Sequence, residues 1–113
     1  MKKYQLGEFE EIVMLTIGVL FKEAYGVSIK NEIKTRLSRD VSVGALQSAL
    51  KRLEGKGYLK ARDGEGTQER AGRPKRYYEI TSLGKRAIEY SKNTRNELWN
   101  AIPDVVLNLK FNA

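Results

Sequence analysis

The chain has 113 residues, enough for one domain with a modest core. It contains no cysteine and no histidine, which removes disulfides, the common zinc sites, thiol nucleophiles and Ser-His-Asp chemistry. Lys and Arg number 21 against 14 Asp and Glu, a formal net charge of +7, so an anionic partner is favoured over a catalytic task.

The opening MKKYQLGEFEE carries two lysines with no apolar run behind them, unlike a secretory leader. The most apolar stretch, 12–21, is about half the ~20 residues a membrane span requires. A cytoplasmic protein with no membrane partner is expected. A helix is predicted over 7–22. Glu8, Glu10 and Glu11 in its first turns suit the positive end of the helix dipole. Ile12, Val13, Met14, Leu15, Ile17, Val19, Leu20 and Phe21 then make it apolar nearly all round, so it should bury more than one side. One side suits the core and another a partner subunit.

Glu23-Ala24-Tyr25-Gly26 reads as a turn, with the glycine permitting a conformation other residues resist. A short helix follows over 27–38, with Ile29, Ile33 and Leu37 as its inward stripe and Lys30, Lys34 and Arg36 outside. Asp40-Val41-Ser42 turns into a third helix, Ser42 serving as its N-cap. Along that helix Val43, Leu46, Leu50 and Leu53 recur at spacings of three, four and three and share one face. Gly44, Ser48, Lys51 and Arg52 lie opposite, flanked by Ala45 and Gln47. Small and hydrogen-bonding residues come early on that face and cations later, which suits a helix that enters a major groove and then meets phosphates. Lys56-Gly57 ends it, the glycine taking the left-handed cap.

Two strands are predicted over 58–62 and 76–80, with a loop over 63–75 that holds Arg70, Arg73 and Lys75. Tyr78 alternates with Ile80 and belongs to the core. The short G-x-G at Gly64 and Gly66 lies in this hairpin and not before a helix, so it carries no nucleotide meaning. Two short helices and a basic-tipped hairpin make a winged helix-turn-helix in outline. Thr81 then caps a last long helix over 82–102, closed by Pro103. Its apolar content is thin, so it should pack against the first helix and a second copy of itself. The tail 104–113 keeps Val105, Val106, Leu107, Leu109 and Phe111.

The fold class is therefore mainly α with a small β-hairpin: a winged helix-turn-helix over 1–80 and a C-terminal dimerisation helix with its tail over 81–113. Charge follows that division. Residues 42–78 hold nine cations against four carboxylates, while the rest holds twelve against ten. A basic surplus on one helix and one hairpin is the footprint of a polyanion binder, double-stranded DNA in the first place. The residues expected at that surface are Ser42, Gly44, Ala45, Gln47, Ser48, Lys51, Arg52, Arg70, Arg73, Lys75 and Arg76. A protein-interaction module that turns its basic face to an acidic partner is the alternative. No carboxylates stand in a catalytic arrangement, so no enzyme, cofactor or metal is expected.

The segments LGEFEE, AYGVSIKNEI, SVGALQSALKRLEGKGYL and RAGRPKRYYEITSLGKRAI, in that order, resemble the PadR family of bacterial transcriptional regulators, in its subgroup with a short last helix. The resemblance implies a repressor: a homodimer built on the first and last helices, with two recognition helices on a palindromic operator. It also implies release by a small aromatic ligand in some members, for which Trp99, otherwise an interface residue, is the candidate contact. Gln47 stands where members often carry Tyr, and a glutamine can hydrogen-bond a phosphate or an adenine edge.

Overall fold

Glu8 to Leu20 form the first helix, α1 (Glu8–Leu20), and a single 3-10 turn over Phe21–Glu23 carries the chain off its end. The computed structural model describes residues 4–66 and 74–109, with the side chains of 65 and 66 left aside. After α1 come α2 (Gly26–Leu37), α3 (Val43–Gly55), the strands β1 (Leu59–Gly66) and β2 (Pro74–Ile80), α4 (Ser82–Ala101) and a single turn, α5 (Asp104–Leu107).

Local chemistry sets the boundaries. The Gly7 N–H donates to Glu10 Oε1 at 2.9 Å and the Tyr25 N–H donates to Ser28 Oγ at 2.9 Å, so α1 and α2 both begin with a side chain from the third position reaching back. Ser42 Oγ accepts from the Ala45 N–H at 3.0 Å, the N-cap expected for α3. Gly57 ends that helix at φ 80°, a left-handed conformation that a side chain would oppose. Thr81 caps α4 by accepting from the Gly84 N–H at 3.0 Å, and its own hydroxyl donates to the Gly57 carbonyl at 2.6 Å.

Three helices converge on the core. Val13, Met14 and Ile17 of α1, Ile29 and Ile33 of α2, and Leu46, Leu50 and Leu53 of α3 are all at most 1% exposed. Tyr58, Leu59 and Tyr78 close it from the strand side, as Tyr78 was expected to. Two expectations fail. Val43 is 63% exposed and Leu37 is 51% exposed. Val43 opens α3 at the edge of a stripe that Ala49 completes instead, fully buried. A spacing of exactly four drifts ~40° per step, so Leu37, in the last turn of α2, has rotated away from Ile29. On α1 a second apolar face does emerge: Leu15 and Val19 are about half exposed.

The strands pair antiparallel from Leu59↔Ile80 to Asp63↔Arg76, then resume at Gly66↔Pro74 across a bulge. Both run past the ends predicted for them, because backbone pairing continues where side-chain alternation stops. Gly64 sits under the Tyr77 ring, where a Cβ would come 2.5 Å from Cε2.

α4 leaves the body close to Tyr58. A Cβ on Gly84 would lie 2.2 Å from the Tyr58 carbonyl oxygen, so only glycine lets the helix cross there. Beyond Ala87 no described residue of α4 is buried, and Tyr90, Leu98 and Trp99 are more than half exposed. The radius of gyration is 17.3 Å, against ~13 Å for a compact chain of this length. The excess comes from this projecting arm.

Candidate nucleic-acid interface

α2, the turn after it and α3 form the helix-turn-helix, β1 packs beside α3, and Arg76 of β2 reaches across to Glu54. The outer side of α3 exposes Gly44, Ala45, Gln47, Ser48 and Lys51, with Ser42 at its start. Gly44 has open space above it, so another chain can come close to the helix there. Gln47, Ser48, Lys51 and Glu54 share a groove with Arg76 and Tyr78 of β2. Adjoining it, a cleft of about 210 Å³ is lined by Tyr25, Gly26, Lys30, Gln47, Arg76 and Tyr78 together with apolar residues. The structure thus brings Gln47, Ser48, Lys51 and Arg76 into one groove, while Ser42 and Ala45 line another with Phe9, Arg39 and Asp40. Arg70 and Arg73 lie outside the described residues.

The cations of this region fall into two groups. Arg52 and Arg76 are already engaged: Arg52 Nε is 3.3 Å from Glu10 Oε2 on α1, and Arg76 Nη2 is 2.9 Å from Glu54 Oε2. Lys30 and Lys51 have no carboxylate partner among the described residues, and Lys75 places its Nζ 4.3 Å from the centre of the Tyr25 ring. An anion that approached the second group would have no ion pair to break.

Sequence reasoning overlooked three parts of this arrangement. Lys30 reads from the sequence only as an outward-facing residue of α2, yet it borders the cleft. Tyr25 and Tyr77 stack edge to face at 5.5 Å, which pins the hairpin to the turn before α2, and Arg62 covers the Tyr77 ring from the facing strand at 4.6 Å. The signal available was an aromatic at 77, on the strand face opposite the core residue Tyr78. The third part is the first turn of α1, read as dipole chemistry alone. Its carboxylates tie down three other elements: Glu8 holds Arg39 at 2.9 Å, Glu10 holds Lys56 at 3.0 Å besides Arg52, and Glu11 holds Arg95 at 2.5 Å. Burial alone would raise the Glu10 carboxyl, but the Gly7 N–H, Lys56 and Arg52 outweigh it and hold it below the usual value.

The family model described as "Transcriptional regulator PadR-like family" matches residues 15–90. This chain belongs to the PadR-like family. A PadR-like transcription factor from Bacteroides fragilis is 30% identical, with 81% of this chain and 84% of that one covered at a TM-score of 0.69. A PadR family transcription regulator from Clostridium difficile is 25% identical, covering 84% and 97% at 0.63. A PadR-like transcriptional regulator from Bacillus cereus, at 18% identity and a TM-score of 0.70 over 90% and 93%, shares the fold. No curated protein matches the sequence. The PadR-like assignment makes the protein a DNA-binding transcriptional regulator and not an enzyme. Among the described residues no helix is long and apolar enough to cross a membrane.

Proposed function

We propose that this PadR-like protein is a cytoplasmic repressor that binds a palindromic operator as a homodimer. The DNA-facing part is residues 1–80, and 81–113 form the dimerisation part. The observation that carries the reading is the pairing of two surfaces. One brings Gln47, Ser48 and Lys51 of α3 together with the basic hairpin. The other leaves Leu15, Val19, Leu98 and Trp99 exposed on α1 and α4. A second copy laid along α1 and α4 would cover the apolar surface. It would also set two α3 helices about one DNA turn apart, roughly 34 Å.

In this reading Ser42, Gly44, Ala45, Gln47 and Ser48 approach base edges, while Lys51, Lys75, Arg70 and Arg73 meet phosphates. Arg52 and Arg76 join them by exchanging a carboxylate for a phosphate. Trp99, 61% exposed beside Leu98, offers a flat apolar face with a polar N–H to an aromatic effector at the subunit junction. The test is binding to duplex DNA from the protein's own promoter region and to random duplex across a salt series, with sedimentation at micromolar concentration. Steep salt dependence, a preference for one palindrome and a dimer are expected. A monomer with no sequence preference overturns the reading, and binding that ignores both salt and sequence favours an acidic protein partner.

A further inference from the structure

The two ends of α4 are held very differently. At its start Thr81 and Gly84 lock it to Gly57 and Tyr58 by hydrogen bonds and by a backbone approach with no room for a Cβ. Beyond its second turn it leans on surface contacts. The Tyr4 and Tyr90 rings meet at 6.0 Å, and one turn further Arg95 Nη2 reaches Glu11 at 2.5 Å. That ion pair is the furthest polar tie from α4 to α1 among the described residues. Its carboxylate is 9% exposed and its guanidinium 65% exposed. One partner is therefore held firmly by α1 while the other lies along a projecting arm.

Leverage gives this pair a consequence. The 20 residues of α4 span ~30 Å, and Arg95 stands ~16 Å beyond Gly84. A tilt of about 10° at the start would move the far end by about 5 Å, more than the ~3.4 Å between successive base pairs. The direction in which α4 leaves the body therefore decides where a second copy bound to it places its own α3. On the same turn of α1, Glu10 grips Arg52 of α3 and Lys56 at its C-terminal cap. Adjacent carboxylates thus reference the arm and the DNA-facing helix to one another through a single rigid turn.

We infer that Glu11 and Arg95 are positioning residues that set the half-site spacing this regulator accepts. The inference rests on the homodimer proposed above and adds the determinant of its operator geometry. Glu11→Gln removes the ion pair with little change of volume, and Arg95→Gln removes it by shortening a side chain that is 65% exposed and therefore not needed by the core. Glu89→Gln, which breaks the exposed pair with Lys85 inside α4, is the control. The probe is a palindrome that the unmodified protein selects from a randomised duplex pool, rebuilt with its half-sites moved by one or two base pairs either way, together with a single half-site duplex.

The unmodified protein and Glu89→Gln are expected to prefer one spacing by at least about ten-fold. Both ion-pair variants should remain dimers, keep their half-site affinity and bind neighbouring spacings within about three-fold of the best. A retained spacing preference in either ion-pair variant overturns the inference while leaving the dimer reading intact. Equal loss of half-site and palindrome binding in both variants also overturns it, because the pair then supports the fold only. A monomeric unmodified protein, or one indifferent to spacing, instead overturns the dimer reading itself.

Discussion

Arg76 spans the gap between the hairpin and α3 and sets its guanidinium 2.9 Å from the carboxylate of Glu54. The pair stands beside Gln47, Ser48 and Lys51, in the groove that faces the proposed operator. With side chains 53% and 37% exposed, it adds little to stability, because water screens such pairs. Its effect is on charge: the ion pair neutralises the Arg76 cation of that groove.

Glu54→Gln should therefore tighten binding to random duplex at low salt. The freed Arg76 becomes available to a phosphate, and the plot of log K against log salt should steepen by about 0.9 for one added contact. Fluorescence anisotropy across a salt series measures both effects. An unchanged slope would mean that Arg76 stays with the hairpin when DNA binds.

Lys51→Ala and Lys30→Ala remove cations that no described carboxylate holds. Each should weaken specific and random duplex alike and flatten the salt slope by about 0.9 per lost contact. Gln47→Ala should instead cost about 1–3 kcal/mol on the operator and far less on random duplex. Equal losses on both DNAs for all three variants would mean that α3 does not read bases.

Two glycine changes should move stability in opposite directions. Gly84→Ala drives a methyl group into the Tyr58 carbonyl, and the expected loss is at least about 1–3 kcal/mol, the cost of forced overpacking. Gly44→Ala meets nothing within 4 Å, and inside a helix the exchange should gain about 0.5–1 kcal/mol. Urea denaturation midpoints decide both. Any DNA-binding defect of Gly44→Ala would then come from the lost close approach, not from unfolding.

Glu10 gives the fold an acid sensitivity of known sign. Its carboxyl titrates below the ordinary value of 4.5, so folding favours the ionised form. The stabilisation is fully present above that ordinary value and is lost as pH falls through the lower folded value. Glu10→Gln should therefore be less stable than the unmodified protein at pH 7. Its stability should also fall less steeply as pH drops below about 4.5, as followed by urea midpoints at each pH. Parallel curves for the two proteins would mean that Glu10 does not control this transition.

Trp99→Glu places a charge in the exposed apolar stretch of α4. Sedimentation should find a folded monomer with operator binding lost, since Trp99 is 61% exposed and lies outside the core cluster. A stable dimer would locate the interface elsewhere.

Much of this architecture was legible in the residues. Ser42 and Thr81 announced their helices because an N-cap is local chemistry, and Gly57 announced the end of α3 for the same reason. The buried stripe of α3 was readable at Leu46, Leu50 and Leu53 but not at Val43, where only the tertiary frame decides which edge of the stripe is covered. Long-range ion pairs were not legible. Glu10 meets Lys56 across 46 residues and Glu11 meets Arg95 across 84. A chain with 35 charged residues offers far too many alternative partners for spacing to select these. Tyr25 and Tyr77 pair for a similar reason: each is readable as a turn or strand residue, and only the packed hairpin brings their rings together.

The hairpin is joined to the helices by more than packing. The Tyr78 N–H donates to the Ala24 carbonyl at 2.8 Å, and an isolated bridge links Tyr25 to Tyr77. The base of the wing therefore shares a backbone hydrogen-bond network with the turn that launches α2. Amide exchange at Tyr78 should require the opening of that turn as well, so wing base and helices unfold as one cooperative unit. For a cell carrying this gene, a lesion at Tyr77 or Ala24 would then register as scarcity of the protein, through faster proteolysis of an opened chain. A lesion at Lys51 would leave the amount of protein unchanged and remove only its grip.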